Sequence, residues 1–323
     1  MARGWKWDFE DEPRAPRGSE PARTPRRAPD SGSPRAPLSR DARVRRRRAV
    51  AVAALVVLIV VAVGALARSK HSPAAAGSKG ASSVHVNLKA PTDPENDQGS
   101  AVRSVLAYTP FVREGSARQR DIALTFDDGP GPYTPMVLSV LEHYKVHATF
   151  FVIGQMLRYF GVSTKRAIED GDVIGDHTES HPMMAGLSRH DQHEQLFEQI
   201  ARVELIGGRR PTLFRPPYGS FNATTLSELK SLHLLMVLWS VDTEDYKQPG
   251  VQAIVESALT GAHPGAIILM HDAGGARDQT IAALPIIIRE LRAKGFRLVT
   301  VPQLLMDDPP PAGQQLPSNL SGG

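Results

Sequence analysis

Two adjacent aspartates end a run of strand-forming residues in the stretch LTFDDGPG at positions 124–131. Neighbouring carboxylates repel each other unless a positive group lies beside them. A second stretch, HTESHP at 177–182, contains His177 and His181, whose spacing of four residues is typical of two imidazoles on one face of a helical turn. Two histidines and one carboxylate form an open, catalytic type of metal site. We therefore predict that one aspartate of the pair binds a metal ion and that the other transfers protons.

The ligands of such an ion must be histidine or carboxylate side chains, because the chain contains no cysteine. Further polar stretches follow apolar runs, namely RPPYG at 215–219, DTEDY at 242–246 and LMHD at 269–272. Each stretch has an ordinary interpretation when it is taken alone. The arginine could lie on the surface, the aspartates could cap helices, and the histidine could form an ordinary hydrogen bond at a strand end. The tyrosine and the leucine could belong to the core. The order of all these stretches on one scaffold favours a shared site.

Apolar, β-branched segments alternate with segments of helical periodicity from Asp121 to about Asp307. Buried-looking strands between helices predict a parallel sheet covered by helices. About seven strands in a region of this length favour a barrel-like closure, with an open doubly wound sheet as the alternative. No G-x-G-x-x-G stretch follows the first strand, so a dinucleotide site has no support. The predicted strands are 122–126, 148–153, 172–176, 212–215, 234–241, 266–271 and 297–301, and the helices lie near 134–144, 155–170, 188–206, 221–232, 250–260 and 278–294.

The N-terminal region differs in composition from the rest of the chain. Residues 1–48 contain 14 Lys and Arg against 7 Asp and Glu, whereas the remaining residues contain 24 against 27. Because the folded part has no excess of basic residues, we expect no nucleic-acid binding. Pro, Arg, Ser and Gly dominate residues 1–48, which we predict to be a disordered tail.

An uncharged apolar run at 49–67 follows four arginines at 45–48. Its length approaches the roughly 20 residues that a transmembrane helix needs. The positive-inside rule would place residues 1–48 in the cytoplasm and the residues after Ala67 outside the cell. We therefore predict a single-pass membrane anchor, with a cleaved signal peptide and a buried core helix as alternatives. The rest of the chain then divides into an extracellular linker at 68–118, a catalytic domain at 119–307 and a flexible C-terminal tail at 308–323.

The five motifs TFDDGP, HTESHP, RPPYG, DTEDY and LMHD, in this order, resemble those of the polysaccharide deacetylase family. Members of this family are also known as NodB-homology domains or carbohydrate esterase family 4. The resemblance covers about residues 119–306. It implies a distorted (β/α) barrel and a metal-dependent removal of acetyl groups from N-acetylated sugars in polymers such as peptidoglycan and chitin.

The resemblance also implies a role for each matching residue. It makes Asp127 the general base and His271 the general acid of the hydrolysis. One divalent ion is expected, Zn²⁺ in the first place, with Co²⁺ or another transition ion as the alternative. Its ligands would be Asp128, His177 and His181. The supporting residues would be Arg215, which holds the base, Asp245, which orients His271, Tyr218, whose backbone N–H faces the oxyanion, and Tyr246 and Leu269, which line the pocket for the acetyl methyl group.

Two positions depart from the family pattern. Tyr246 stands where the family usually has Trp, and Glu179 stands where an aromatic or small residue is common. We expect the phenol ring to change substrate fit without loss of chemistry. A carboxylate at position 179, near the mouth of the site, would repel anionic polymers.

Two other functions compete with deacetylation. Glycoside hydrolysis needs two carboxyl groups about 5 to 9.5 Å apart across the scissile bond, an arrangement that the adjacent Asp127 and Asp128 do not form naturally. A non-catalytic glycan-binding or scaffold protein on the same fold would be favoured by the loss of a metal ligand or of His271. The sequence retains all of these residues.

Overall fold

The computed structural model describes residues 94–315. The strands are β1 Phe111–Val112, β2 Asp121–Asp127, β3 Thr149–Val152, β4 Val173–Asp176, β5 Leu213–Phe214, β6 Leu235–Val237, β7 Val241–Asp242, β8 Ile267–His271 and β9 Arg297–Val299. The α-helices are α1 Pro94–Leu106, α2 Thr134–Tyr144, α3 Leu157–Glu169, α4 Arg189–Leu205, α5 Ala223–Leu232, α6 Val251–Gly261, α7 Asp278–Ala293 and α8 Val301–Asp307. Strands and helices alternate over most of this range, as the hydrophobic pattern predicts.

The named strands pair in parallel and form one curled sheet. Its order is β1-β6-β5-β4-β3-β2-β8-β7, and β9 pairs with the first residues of β2. β6 and β7 are near opposite ends of this order, yet residues 238–240 alone join them along the chain. The sheet must therefore curl until these ends meet, which confirms the predicted distorted (β/α) barrel.

The segment 234–241, predicted as one strand, is divided between two neighbours. The N–H of Leu238 donates to the carbonyl of Val112 on β1 at 2.7 Å, whereas the N–H of Ser240 donates to Ile267 on β8 at 3.1 Å. The backbone changes partner between these residues, so a continuous ladder is impossible. Hydrophobicity continues across the break, which explains why the sequence pattern does not mark it.

Strand β2 is buried along its whole length, and its two faces pack against different neighbours. Ile122, Leu124 and Phe126 belong to a core cluster shared with the surrounding helices. Ala123 belongs to a second cluster, which takes side chains from most strands of the curled sheet and from α1 and α8. Because side chains alternate along a strand, Asp127 shares the inward face with Ala123, at the carboxyl end of β2.

The fold begins before residue 119. Helix α1 and strand β1 lie within residues 68–118, a segment that the sequence analysis assigns to a linker. Val102 and Val105 of α1 are buried and pack in the second core cluster. The linker prediction is therefore wrong for residues 94–118, because polar residues dominate the start of α1 and conceal its short apolar face.

Residues 308–315 pack against the barrel, although they belong to the predicted flexible tail at 308–323. The buried carboxylate of Asp308 accepts a hydrogen bond from the N–H of Arg118 at 3.1 Å. The side chain of Gln314 accepts from the N–H of Arg113 at 3.0 Å and donates to the carbonyl of Glu114 at 2.7 Å. Polar contacts, which leave no hydrophobic pattern, hold this part of the chain.

The predicted anchor at 49–67 and the predicted tail at 1–48 lie outside the described residues. Among residues 94–315, no helix has the length and apolar character needed to cross a bilayer.

Candidate active site

The loop of residues 127–131, which follows β2, carries the acidic pair. Asp127 is the last residue of the strand, and Asp128 has a φ of 71°, in the left-handed region. This turn separates the two side chains, although the residues are adjacent. Asp127 contacts Arg215, whereas Asp128 faces His181.

His177 and His181 lie in an irregular loop after β4. The predicted helical turn is wrong, because Thr178 and His181 have φ values of 68° and 60°. The N–H of His181 donates to the Thr178 hydroxyl at 2.9 Å, which closes the loop. The two imidazole rings are nevertheless neighbours, with centroids 5.0 Å apart. The sequence spacing therefore identifies the correct pair for an incorrect geometric reason.

Asp128, His177 and His181 each offer a ligand atom within 4.8 Å of the other two. Oδ1 of Asp128 is buried and lies 3.1 Å from Nε2 of His181 and 3.6 Å from Nε2 of His177. Nδ1 of His177 donates to the carbonyl of Arg215 at 2.7 Å, so the lone pair of this imidazole is on Nε2. Burial would raise the pKa of Asp128, but the neighbouring histidines lower it well below its usual range. These residues fit a divalent transition ion.

Arg215 holds Asp127 from inside the barrel. Its guanidinium is fully buried and donates to Oδ1 of Asp127 at 2.8 Å. Three further N–H groups donate to the hydroxyl of Thr125 and to the carbonyls of Val237 and Leu238. These bonds satisfy a charge that would otherwise be very costly to bury. They also leave Oδ2 of Asp127 directed towards Nε2 of His177, 3.8 Å away.

His271 lies opposite Asp127, because the two residues are register partners on β8 and β2. Its Nδ1 is 2.7 Å from Oδ1 of Asp245, and its backbone N–H donates to Oδ2 at 2.9 Å. The hydroxyl of Thr280 donates to the same Oδ2 at 2.7 Å, which fixes the carboxylate. Burial would lower the pKa of His271, but the Asp245 carboxylate outweighs this effect and raises the pKa to about 9.

The three predicted substrate-binding residues surround this edge of the barrel. Tyr218 has a φ of 59° and is half exposed, and its ring lies 4.6 Å from that of His181. Tyr246 is also exposed, with its ring 5.4 Å from that of His271. Leu269 is buried two residues before His271 on β8 and therefore shares its face of the strand.

Glu179 does not lie at the mouth of the site. Its side chain is buried, and Nε of Arg202 on α4 donates to both carboxylate oxygens, Oε1 at 2.6 Å and Oε2 at 2.7 Å. The expectation that this carboxylate repels anionic polymers is wrong, because Arg202 neutralises it. Pairing across 23 residues has no local signature in the sequence.

Sequence reasoning missed three hydroxyl groups of the site, those of Thr125, Thr134 and Thr280, and left the role of a buried carboxyl group open. Thr125 bridges Arg215 and the carbonyl of Ile268, and Thr134 bonds to Asp272. The sequence did offer one sign of a role for Thr125, because this polar residue lies in the middle of an apolar strand. Asp272 follows His271 directly and was interpretable as a helix cap, whereas the structure buries it completely.

Comparison with known proteins agrees with this geometry. The family model for polysaccharide deacetylase matches residues 114–237. A peptidoglycan-N-acetylglucosamine deacetylase of Bacillus cereus is 40% identical over 208 residues, which cover 63% of this chain and 97% of that protein. The chain belongs to the polysaccharide deacetylase family. The resemblance inferred from the five motifs is confirmed.

Other members of the polysaccharide deacetylase family differ from this chain in length. The peptidoglycan-N-acetylmuramic acid deacetylase PdaC of Bacillus subtilis is 40% identical over 191 residues. This match covers 58% of the present chain and 39% of PdaC. The chain thus spans well under half the length of that relative.

Solved structures of the family share the fold. The Bc1960 peptidoglycan N-acetylglucosamine deacetylase has a TM-score of 0.60 at 34% identity, covering 62% of this chain and 95% of that one. BA3943 of Bacillus anthracis, described as a pseudoenzyme of carbohydrate esterase family 4, has a TM-score of 0.58 at 28% identity, covering 61% and 69%. The family fold therefore occurs with and without activity, so function must be argued from the individual residues of the site.

Proposed function

We propose that this protein is a metal-dependent hydrolase that removes N-acetyl groups from a cell-wall or extracellular polysaccharide. The substrate would be peptidoglycan or a chitin-like polymer of N-acetylglucosamine. One observation carries the proposal: Asp127 and His271 are register partners at the carboxyl ends of β2 and β8, beside the three clustered ligand residues. The names of the relatives support the class of polymer.

Asp128, His177 and His181 would hold the cation, which we propose to be Zn²⁺. A bound cation would polarise the acetamide carbonyl and lower the pKa of a water molecule. Asp127 would accept a proton from the attacking water, using the oxygen that Arg215 does not engage. The hydrogen bond from Arg215 fixes the direction of the Asp127 carboxylate, which a general base requires.

His271 would donate a proton to the departing sugar nitrogen as the C–N bond breaks, giving acetate and a free amine. Its raised pKa, about 9, keeps the imidazole protonated at neutral pH. Asp245 holds the ring through Nδ1, and the Thr280 hydroxyl in turn holds Asp245, so the orientation of His271 is fixed.

The remaining residues would bind the acyl group. The amides of Gly219 and Ser220 close the turn after β5 by donating to the carbonyls of Pro216 and Pro217. The amide of Tyr218 takes no part in these bonds and would donate to the oxyanion. Tyr246 and Leu269 would line the pocket for the acetyl methyl group.

Residues 49–67 would anchor the protein in the cell membrane, with the catalytic domain outside. Their uncharged composition and the preceding arginines support this topology. Protease added to intact cells should remove the domain and leave residues 1–48 protected. A mature N-terminus at Arg68 in the medium would instead identify a cleaved signal.

Acetate release tests the activity. Purified protein is incubated with hexa-N-acetylchitohexaose or with peptidoglycan, before and after chelation and then after addition of Zn²⁺. We expect acetate from at least one substrate, its loss on chelation and its return with Zn²⁺. Full activity of the metal-free protein would refute metal dependence, and binding of both glycans without acetate release would favour a non-catalytic protein.

A further inference from the structure

The side chain of Asp272 lies beside the 127–131 loop and is completely buried. The hydroxyl of Thr134 donates to Oδ2 of Asp272. The same hydroxyl accepts a hydrogen bond from the N–H of Gly131 at 2.7 Å. Because one hydroxyl proton is available, Thr134 connects the end of the loop to the carboxyl group of Asp272 in a fixed direction.

A second contact ties Asp272 to the start of the loop. Its backbone N–H donates to the carbonyl of Asp127 at 3.2 Å. Between these two bonds, Gly129 packs directly on the carboxyl group, since a Cβ atom added there would lie 2.4 to 2.8 Å from its atoms. Gly131 packs equally closely on Ala273, where an added Cβ would lie 2.5 Å from that residue's Cβ. The loop follows the surface that Asp272 and Ala273 present.

The opposite side of the loop is bonded to the barrel. The N–H of Ile153, just after β3, donates to the carbonyl of Gly129 at 2.7 Å. The loop is therefore held between the ends of β3 and β8. Any shift of this segment would move the carboxylates of Asp127 and Asp128 relative to His177, His181 and His271.

The surroundings of Asp272 favour a hydrogen-bonding role over an ionic one. Oδ1 of Asp272 is buried without a hydrogen-bond partner among residues 94–315. Burial raises the pKa of Asp272 to about 7, and the charges of Asp128 and Asp127 act in the same sense, while the bond from Thr134 opposes them.

We propose that Asp272 is a positioning residue, which acts with Thr134 to hold the 127–131 loop so that Asp127 and Asp128 stay aligned with the histidines. This proposal rests on the proposed deacetylase function. Asp272 is completely buried and is not one of the three clustered ligand residues. It acts through the backbone of the loop and through the Thr134 hydroxyl.

Two matched pairs of variants test the proposal. Thr134→Val removes the hydroxyl at nearly constant shape, and Thr134→Ser retains it. Asp272→Ala removes both oxygens, and Asp272→Asn retains one acceptor for Thr134. For each variant we would measure kcat and KM on hexa-N-acetylchitohexaose, Zn²⁺ affinity by competition with a chromophoric chelator, and Tm.

We expect Thr134→Val and Asp272→Ala to lower both kcat and Zn²⁺ affinity, each by roughly 10- to 100-fold, as is common for groups that orient metal ligands. KM should change less than kcat, because the variants act on the alignment of Asp127 and Asp128 and leave the residues proposed to bind the acyl group in place. Thr134→Ser and Asp272→Asn should recover most of both losses, a pattern that general destabilisation would not produce.

A folded Thr134→Val variant with wild-type kcat and Zn²⁺ affinity would overturn the proposal, whether or not Asp272→Ala folds. Equal losses in Asp272→Asn and Asp272→Ala would also overturn it, because charge would then matter and hydrogen-bond geometry would not. If the wild-type protein releases no acetate, the proposed function fails. The Zn²⁺ affinities of the four variants would still decide the role of Asp272.

Discussion

Strand β2 has an aspartate at each end, and each aspartate contacts an arginine in a different way. At the start of the strand, Arg297 donates to both oxygens of Asp121, at 2.8 Å and 2.7 Å. At the end, Arg215 donates to one oxygen of Asp127 and also donates to the Thr125 hydroxyl and to two backbone carbonyls. The side chain of Arg297 is 58% exposed, whereas that of Arg215 is inaccessible to solvent.

The ion pair at the start of β2 has a structural role, whereas the ion pair at its end leaves one carboxylate oxygen free to take part in a reaction. Asp121, at the amino end of β2, has both oxygens occupied and ties β2 to β9. Asp127 is held by Arg215 through one oxygen, and its other oxygen faces the proposed metal ligand His177. A general base needs a fixed direction and a free lone pair, and only the second arrangement provides both.

The largest expected difference is in stability. Arg215→Met would leave the Asp127 carboxylate buried without its partner, and we expect the free energy of unfolding to fall by about 3–5 kcal/mol. Arg297 is 58% exposed although its partner Asp121 is buried, so Arg297→Met should cost less, roughly 1–3 kcal/mol, because water can reach the side of the carboxylate that Arg297 leaves. Urea unfolding followed by circular dichroism measures both. Equal costs for the two variants would remove the distinction between the two ends of β2.

Two glycines with positive φ, one beside the site and one that faces open space, allow a direct test of how tightly the site is packed. A Cβ atom at Gly274, where φ is 76°, would lie 2.2 Å from Oδ2 of Asp128, whereas one at Gly207, where φ is 88°, would meet open space. We expect Gly274→Ala to lower Zn²⁺ affinity by roughly 10- to 100-fold. Gly207→Ala should share the backbone strain and leave Zn²⁺ affinity unchanged. A similar affinity in both variants would mean that Asp128 tolerates displacement.

A smaller effect is expected on the pH dependence of the activity, and its direction can be derived. The pKa of His271 is raised to about 9, above its ordinary value of 6.5, so activity should fall as pH rises through about 9. Asp245→Asn removes the main cause of the raised pKa and should move this alkaline limb to lower pH. Asp121→Asn, at the other end of β2, serves as the control and should leave the limb in place. An unchanged limb in Asp245→Asn would argue against His271 as the acid.

The same raised pKa has a consequence for stability. Protonated His271 stabilises the folded state fully below about 6.5, its ordinary pKa. That contribution is lost as pH rises towards about 9, the folded-state pKa. Asp245→Asn should therefore reduce stability near neutral pH more than at pH 10, which thermal unfolding at both pH values would measure.

The smallest effect is expected at Glu179. Since Arg202 neutralises this carboxylate away from the mouth of the site, Glu179→Gln should leave the ratio of kcat/KM values on anionic and neutral glycans unchanged. The variant should affect stability alone. A clear gain on anionic glycans would show that Glu179 faces the substrate after all.

The barrel and the composition of the site were predictable because each motif directly follows an apolar run. Parallel strands bring their carboxyl ends to one edge, so the order of Asp127, His177, Arg215 and His271 along the chain is sufficient to gather them. In a chain that lacks cysteine, the residue types also limit the ligands of a metal ion to histidine and carboxylate side chains.

Local conformation and distant pairing were not predictable. The left-handed residues of the His177–His181 loop have no glycine to signal them. The pairs Glu179–Arg202 and Thr134–Asp272 form only after the chain has folded. Helix α1 and residues 308–315 escaped prediction because their sequences are largely polar.

Asp127 is the proposed general base and Asp128 the proposed metal ligand, and one parallel measurement tests this difference in role. Zn²⁺ stoichiometry and kcat would be determined for Asp127→Asn and Asp128→Asn at the same pH. Asp127→Asn should bind one Zn²⁺ and lose turnover by about 10²- to 10⁴-fold, the usual contribution of a general base. Asp128→Asn should bind Zn²⁺ poorly. Equally weak Zn²⁺ binding in both variants would contradict the account, because Asp127 would then be a ligand and the base would be another residue.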